Sequence, residues 1–313
     1  MALVPLGRIR LLRLASINEG TVTDASGKGY PILLCADDYG LSPGVSCAIL
    51  RLALDGRISA LSCMTVGPSW PEDAAALEPA YGRVDVGLHL CLTALPPLGT
   101  MPVLAPEGRL PGLGALIRAA LLRRLPLGEI AAELERQFDA FVAATGRLPD
   151  FLDGHQHVHQ LPGIRGLVLD LFRRRLDPAR HYVRNCYEPP GAILRRGVAP
   201  ARTLVLSALA AGFPTDAART GVPCNDGFRG VHAFDPADDP ASRFDRLLSG
   251  VRGRVLVNCH PGLVDDLLRA VDPVHAPREA EYRFLSGGAF PRLLAARGLR
   301  LARFADLMRE SSD

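Results

Sequence analysis

The run Asp153-Gly154-His155-Gln156-His157-Val158-His159 puts three imidazoles within five residues, directly behind a carboxylate. Imidazole nitrogen and carboxylate oxygen are ligands for borderline divalent metals, and histidine changes charge near neutral pH. If the run is extended, side chains alternate and His155, His157 and His159 share one face. If it is helical, only His155 and His159 do. At least two imidazoles converge either way. Taken alone, the triplet is equally well a polar strand end whose histidines only hydrogen-bond.

Three more chemically capable groups lie elsewhere: the pair Asp37-Asp38, His89, and His260 in His260-Pro261-Gly262. Two imidazoles and one carboxylate leave open positions on a divalent ion for water and substrate, and Asp38, His89 and His155 form such a set. An ion so held lowers the pKa of a water and polarises a carbonyl. Asp37 is next door, where it could take the proton of that water. His260 could protonate a leaving group or stabilise an oxyanion. Asp153, two residues before His155, could orient an imidazole from behind. The set reads as metal-assisted hydrolysis of an amide or ester. Each piece also has a plainer use. An Asp pair caps helices and turns, a lone histidine is often a satisfied buried group, and His-Pro-Gly makes a turn.

The elements that must position these groups decide between the readings. Pro31 to Ala36 is a short apolar run, the pattern of a strand buried on both faces, and it ends in Asp37-Asp38. Ser42 as N-cap and Pro43 at the first helical position open a helix to about Leu54, closed by Gly56. Ile58 to Val66 reads as a strand, Pro71 to Leu77 as a helix, and Arg83 to Leu92 as a strand carrying His89. Residues 94–114 are rich in Pro and Gly and read as one long loop, a lid or a dimer contact. From Leu127 a helical stripe of Ile130, Leu134, Phe138, Phe141 and Val142 runs to a Gly146 C-cap.

The next apolar run leads into the histidine cluster. A helix over 162–176 and a short strand at 181–184 follow. Residues 187–240 show one clear element, a helix near 200–211. Arg254 to Cys259 is a strong strand ending at His260, followed by a helix over 277–297, a short strand near 299–302 and a terminal helix.

Strands alternating with helices argue for parallel pairing, and the candidate residues fall again and again at carboxyl ends of strands. In (β/α) barrels that rim is where sites are built. The expected fold is therefore α/β, a distorted TIM-like (β/α) barrel. It forms a single domain over residues 30–313, behind a poorly ordered extension at 1–29. Of 313 residues, 48% are apolar and 22% charged, enough for a large core. The net charge of +3, with no basic run, gives no reason to invoke nucleic acid. Seven cysteines without a CxxC pair read as buried thiols in a reducing, cytoplasmic setting. No apolar run is long enough for stable membrane insertion.

Four blocks together resemble one family over residues 31–305. They are Ala36-Asp37-Asp38-Tyr39-Gly40-Leu41-Ser42, Val86-Gly87-Leu88-His89-Leu90, Leu152-Asp153-Gly154-His155-Gln156-His157-Val158-His159 and Cys259-His260-Pro261. The family is the YdjC-like carbohydrate deacetylases. The resemblance implies a barrel of the polysaccharide-deacetylase type that removes acetyl from an N-acetylated sugar, using one divalent ion, Zn2+ or Mg2+. It implies Asp38, His89 and His155 as metal ligands, Asp37 as the base, and His260 as the acid or oxyanion partner. Asp153, Arg184, His157, Asn225 and Asp226 would stand behind the ligands or against substrate.

Gln156 stands where the family often has histidine, and the second block is followed by a proline-rich loop (Pro96, Pro97, Pro102, Pro106). Asn225-Asp226-Gly227-Phe228, and Val183-Arg184 ahead of Tyr187-Glu188-Pro189, resemble blocks of a hopanoid-associated branch and lean toward a glycolipid substrate. Arg184 has two readings, a substrate contact or a structural ion pair. A homodimer is expected. Two rivals are a different metal-dependent amidohydrolase or phosphoesterase, and a non-catalytic sugar-binding barrel. The first usually carries its HxH pair on the first strand. The second would have lost a ligand or base, and none is missing here.

Overall fold

The computed structural model describes residues 29–310, so the extension expected over residues 1–29 lies, but for Gly29, outside the described residues. The first half of the chain alternates β1 (Tyr30–Tyr39), α1 (Pro43–Leu54), β2 (Ala60–Cys63), α2 (Trp70–Asp73), β3 (Asp85–Leu90), α3 (Leu113–Leu121), α4 (Leu127–Thr145) and β4 (Phe151–Gly154). The middle continues with α5 (Ile164–Arg175), β5 (Tyr182–Val183), α6 (Pro190–Arg196), α7 (Pro200–Ala210), α8 (Phe213–Thr220) and β6 (Gly227–Arg229). The last part holds α9 (Pro240–Leu247), β7 (Val255–Cys259), α10 (Asp266–Val271), α11 (Ala276–Ser286), α12 (Ala289–Ala296), β8 (Leu299–Leu301) and α13 (Phe304–Glu310).

Every strand pairing is parallel, in the order β5-β4-β3-β2-β1-β7-β6, with β8 on the opening residues of β1. The curled sheet closes between its edges by a bridge from Val183 to Cys224. Asn225 reinforces that seam. Its side chain accepts from the Asn185 N–H and donates to the Asn185 carbonyl, each at 2.8 Å. The architecture is the distorted parallel barrel that the alternating pattern predicts.

Strand alternation sorts the side chains into two layers. Ile32, Leu34 and Ala36 of β1 join the large core against the helices. Leu33 and Cys35 join Ala60, Phe151, Tyr182, Phe228 and Leu256 in a smaller cluster inside the curl. Phe151 stacks on Tyr182, and Tyr182 stacks on Phe304 of α13, which plugs that cluster. Gly87 of β3 makes room for it: a Cβ there would lie 2.4 Å from the Phe151 ring. Continuing the same alternation by two residues on each strand brings Asp37, Ser62, His89, Asp153, Arg184 and Asn258 inward. A polar layer therefore crowns an apolar lumen, at the carboxyl ends of the strands.

Local signals in the sequence act as expected at several ends. The Ser42 hydroxyl accepts from the Val45 N–H at 3.3 Å, and Pro43 opens α1; such caps contribute about 1 kcal/mol. Gly146 closes α4 at φ +65°. The helix expected over 277–297 is two helices, α11 and α12, because Gly287-Gly288 interrupts it. The helix expected at 71–77 is the short α2 followed by a 3-10 stretch, Ala74–Ala80, which contains Pro79. The region 187–240 holds α6, α8 and β6 as well as the expected α7.

The irregular stretch after β3 ends at α3, a helix not foreseen. Polar side chains of α4, two of them buried, hold the stretch down. Glu133 accepts from the Leu98 N–H at 2.8 Å and the Gly99 N–H at 3.2 Å. Glu129 accepts from the N–H groups of Val103 and Leu104, and Gln137 exchanges two bonds with the Cys91 backbone. Glu133 and Gln137 lie on the side of α4 that carries the apolar stripe, and both are buried although polar. Here they replace missing backbone partners of the loop.

Candidate metal centre and active site

Asp38 is the residue that breaks alternation. By parity it would face the helices, but at φ +76° its carboxylate meets His89 from inside the barrel. Asp tolerates this left-handed backbone better than most residues, and such strain is commonly found at functional sites. Asp38 Oδ1 lies 2.9 Å from His155 Nδ1 and 3.4 Å from His89 Nε2, while Oδ2 accepts from Arg278 Nη2 at 2.7 Å. The potential ligand atoms of Asp38, His89 and His155 all lie within 4.8 Å of one another. A tetrahedral ion with bonds near 2.0–2.1 Å spaces its donors by about 3.3 Å, so this trio fits a divalent ion.

His89 Nδ1 lies 2.7 Å from Asp153 Oδ1, which also accepts from the Ser62 hydroxyl at 2.5 Å. Burial opposes a charge on His89, but Asp153, Asp38 and Asp37 overcome it and raise its pKa to about 10. Without an ion, the field of this spot thus calls for positive charge. Burial also opposes the Asp38 anion; Arg278 and the two imidazoles outweigh it and hold the carboxyl well below the usual range.

Arg184 is fully buried and joins the two inner carboxylates. Its guanidinium meets Asp37 Oδ1 at 2.6 Å, Asp37 Oδ2 at 2.7 Å, Asp153 Oδ2 at 2.5 Å and the Cys35 sulfur at 3.0 Å. Asn258 donates to Asp37 Oδ2 at 3.2 Å. Burial works against the Asp37 anion, yet Arg184, with His89 and His260, keeps its carboxyl well below the carboxylate range. Of the two readings for Arg184, the structure contains the ion pair. The side chain has no exposed surface.

His260 leaves β7 with Nε2 3.8 Å from Asp37 Oδ2, and its backbone N–H donates to Glu281 at 2.6 Å. Burial lowers its pKa to about 4, so the ring is neutral at pH 7. Glu281 is shared with His232 and Arg243.

The histidine run itself is neither strand nor helix. β4 stops at Gly154, and a 3-10 segment, His155–Gln160, begins at once with Gln156 and His157 in left-handed backbone. His155 alone is delivered to Asp38. His157 turns edge-on to Phe228, with Nδ1 3.6 Å from the Cys186 sulfur, and lines the cavity beside His155 without reaching the Asp38 donors. His159 is buried and bonds the Arg184 carbonyl through Nε2 at 2.8 Å. The shared face expected from either spacing is therefore absent, because two left-handed residues reset the direction of the chain.

Asn225 and Asp226 also lie away from the donors. Asn225 sits in the barrel seam, and Asp226 is half exposed in an ion pair with Arg254 at 2.7 Å. Arg278, Ser62, Asn258 and Glu281 contact the cluster and were not singled out from the sequence. Ser62 and Asn258 follow the inward parity of their strands, a signal that could have found them. Arg278 sits in an ordinary helical pattern that offers none.

Two other groupings could in principle hold an ion among the described residues: His232-His260-Glu281 and Cys35-Asp37-Asp153. Arg184 fills the second. In the first, Arg243 meets Glu281 Oε1 at 2.7 Å, and His232 Nδ1 accepts from the Phe234 N–H. That bond leaves the His232 proton on Nε2, where a ligand lone pair would be needed. Of these three groupings the Asp38 trio is the one that suits a cation. A cavity of about 520 Å³ opens over Asp37, Asp38, His155 and His260.

A parallel barrel whose strand ends bring carboxylates and imidazoles to the floor of a cavity is the architecture of hydrolytic barrel enzymes. The chain belongs to the YdjC-like protein family, whose model matches residues 31–296. A chitooligosaccharide deacetylase of Serratia marcescens is 30% identical over 276 residues, which is 88% of this chain and 98% of that protein. Its counterpart in Yersinia pestis (strain Pestoides F) is 31% identical over 280 residues, 88% and 98% of the two chains. A solved structure from Enterococcus faecalis, described as a cellobiose-phosphate cleavage protein, has the same fold. It superposes with a TM-score of 0.68 at 22% identity, covering 89% of this chain and 99% of that one.

Proposed function

We propose that this protein is a metal-dependent carbohydrate deacetylase that hydrolyses the acetamide of an N-acetylated sugar. The observation that carries the reading is the meeting of Asp38, His89 and His155 beneath a cavity that Asp37, Asp38, His155 and His260 line. Membership of a family whose relatives are named chitooligosaccharide deacetylases supports it.

Asp38, His89 and His155 would hold the ion, and Asp153 keeps His89 in the tautomer that leaves Nε2 free to bind. A divalent ion held there would supply a water of lowered pKa and polarisation of the amide carbonyl. Asp37, fixed by Arg184 and Asn258, takes the proton of the attacking water. A carboxyl held this acidic keeps a proton poorly. His260, 3.8 Å away and neutral at rest, is the next acceptor and passes the proton to the leaving nitrogen. Water and acetamide thereby become acetate and amine with no other reactant.

Acetate release from N-acetylglucosamine oligomers by the metal-loaded protein is the test. Asp37→Asn and His89→Ala lose it while remaining folded; activity retained in both sinks the reading. A two-metal phosphoesterase is disfavoured because Arg184 fills the Cys35-Asp37-Asp153 grouping and the proton on His232 Nε2 blocks the other.

Finer points belong to the same proposal. The ion is zinc or magnesium, with two imidazoles favouring zinc, and metal analysis of the purified protein decides. The cavity wall carries Leu113 and Ile117 of α3 and Leu206 and Leu209 of α7, which suits an apolar aglycone and hence a glycolipid substrate. Faster turnover of an acetylated glycolipid than of chitin oligomers supports that choice. All seven cysteines are free thiols, as expected in the cytoplasm. Among the described residues no helix is long and apolar enough to cross a membrane. The expected homodimer is checked by light scattering.

A further inference from the structure

The end of α3 and the turn after it form a surface that the deacetylase reading does not use. Leu121 is 59% exposed, Leu122 55% and Leu127 43%, and they sit within seven residues of chain. Across the adjoining loop Leu98 and Val103 are exposed as well. Arg118, Arg123 and Arg124 stand among these leucines, all exposed and none with an ion-pair partner among the described residues. From Gly108 to Gly128 the chain has four arginines and no acidic residue. The nearest acids on α4, Glu129 and Glu133, are occupied with loop N–H groups. Arg123 is held at φ +56°, a position after a helix end where glycine is the unstrained choice. Single exposed leucines need no explanation, but an apolar tip ringed by unpaired arginines does.

We propose that this tip docks the protein reversibly on an anionic lipid bilayer. The leucines enter the headgroup boundary while the arginines meet lipid phosphates, the division of labour of interfacial helices. The other end of the same helix reaches the cavity, where Leu113 and Ile117 form part of its wall. A docked molecule therefore keeps its cavity mouth near the membrane surface. The proposal needs no turnover, so it stands or falls apart from the deacetylase reading.

Sedimentation of the full-length protein with vesicles tests it, using phosphatidylcholine alone against phosphatidylcholine with a third phosphatidylglycerol. The protein sediments with the anionic vesicles, does so less at 0.5 M salt, and stays in solution with neutral ones. Each arginine near an anionic surface contributes about fivefold in partitioning. Arg123→Glu/Arg124→Glu therefore partitions at least about 25-fold more weakly. Leu121→Ser/Leu122→Ser also loses vesicle binding, and both variants keep the wild-type circular dichroism, since all four residues lie on the surface. Equal sedimentation of wild type and the charge-reversed variant overturns the proposal, as does no sedimentation at all. Light scattering that finds a dimer dissolved by Leu121→Ser/Leu122→Ser also overturns it, making the patch an interface between copies of this chain.

Discussion

Replacing Arg184 with methionine removes the cation on which two buried carboxylates depend. Methionine fills most of the aliphatic volume, so the loss is chiefly electrostatic. Asp37 loses contacts at 2.6 and 2.7 Å and Asp153 one at 2.5 Å, in a place where all three residues are buried. Breaking a buried pair by deleting one partner costs about 3–5 kcal/mol, a large share of a stability of roughly 5–15 kcal/mol. The melting temperature falls by roughly 6–15 °C. The deficit also depends on pH. Without Arg184, the burial that works against the Asp37 anion loses its main opponent and raises the folded pKa of that carboxyl. Its protonated form is then the one that suits the fold, so the stability it retains is present at low pH and lost as pH rises. Calorimetric scans at pH 5 and pH 8 check both points. The gap between Arg184→Met and wild type is wider at pH 8. A loss below about 2 °C, or a gap that ignores pH, refutes the view that Arg184 works as a charge between two acids.

Three other outcomes are expected. Asp153→Asn must turn its amide group toward either Arg184 or the Ser62 and His89 donors, so one pairing is lost in each orientation; titration calorimetry finds zinc bound 10–100-fold more weakly, and unchanged affinity contradicts the role given to Asp153. Gly87→Ala drives a methyl into the Phe151 ring and destabilises by about 1–3 kcal/mol, read as a lower denaturation midpoint; a neutral substitution means the lumen is not packed as described. Burial lowers the His159 pKa to about 4 from about 6.5 unfolded, so its stabilisation is complete above pH 6.5 and fades as pH falls toward 4. That effect amounts to about 3 kcal/mol, and melting curves of His159→Gln are flatter than wild type across this window; parallel curves exclude it.

By itself the sequence determined the strand and helix alternation, because apolar runs ending in polar residues, Ser42-Pro43 and Gly146 act through neighbours a few positions away. Four ligand-grade blocks at four strand ends were legible for the same reason, since parity along a strand is a local property. What lay outside it depends on distant backbone meeting distant side chain. The sequence could not say that Asp38 and the pair Gln156-His157 adopt left-handed backbone, which separates His155 from His157 and His159. Nor could it distinguish Glu133, buried under a loop some 35 positions away, from any solvated glutamate on a helix. Arg278 reaches Asp38 across 240 positions, and Asn225 proved to be a clasp in the barrel seam. Charge and hydrogen-bond satisfaction in a closed interior are settled jointly by every element that lines it, and only the assembled barrel contains that information.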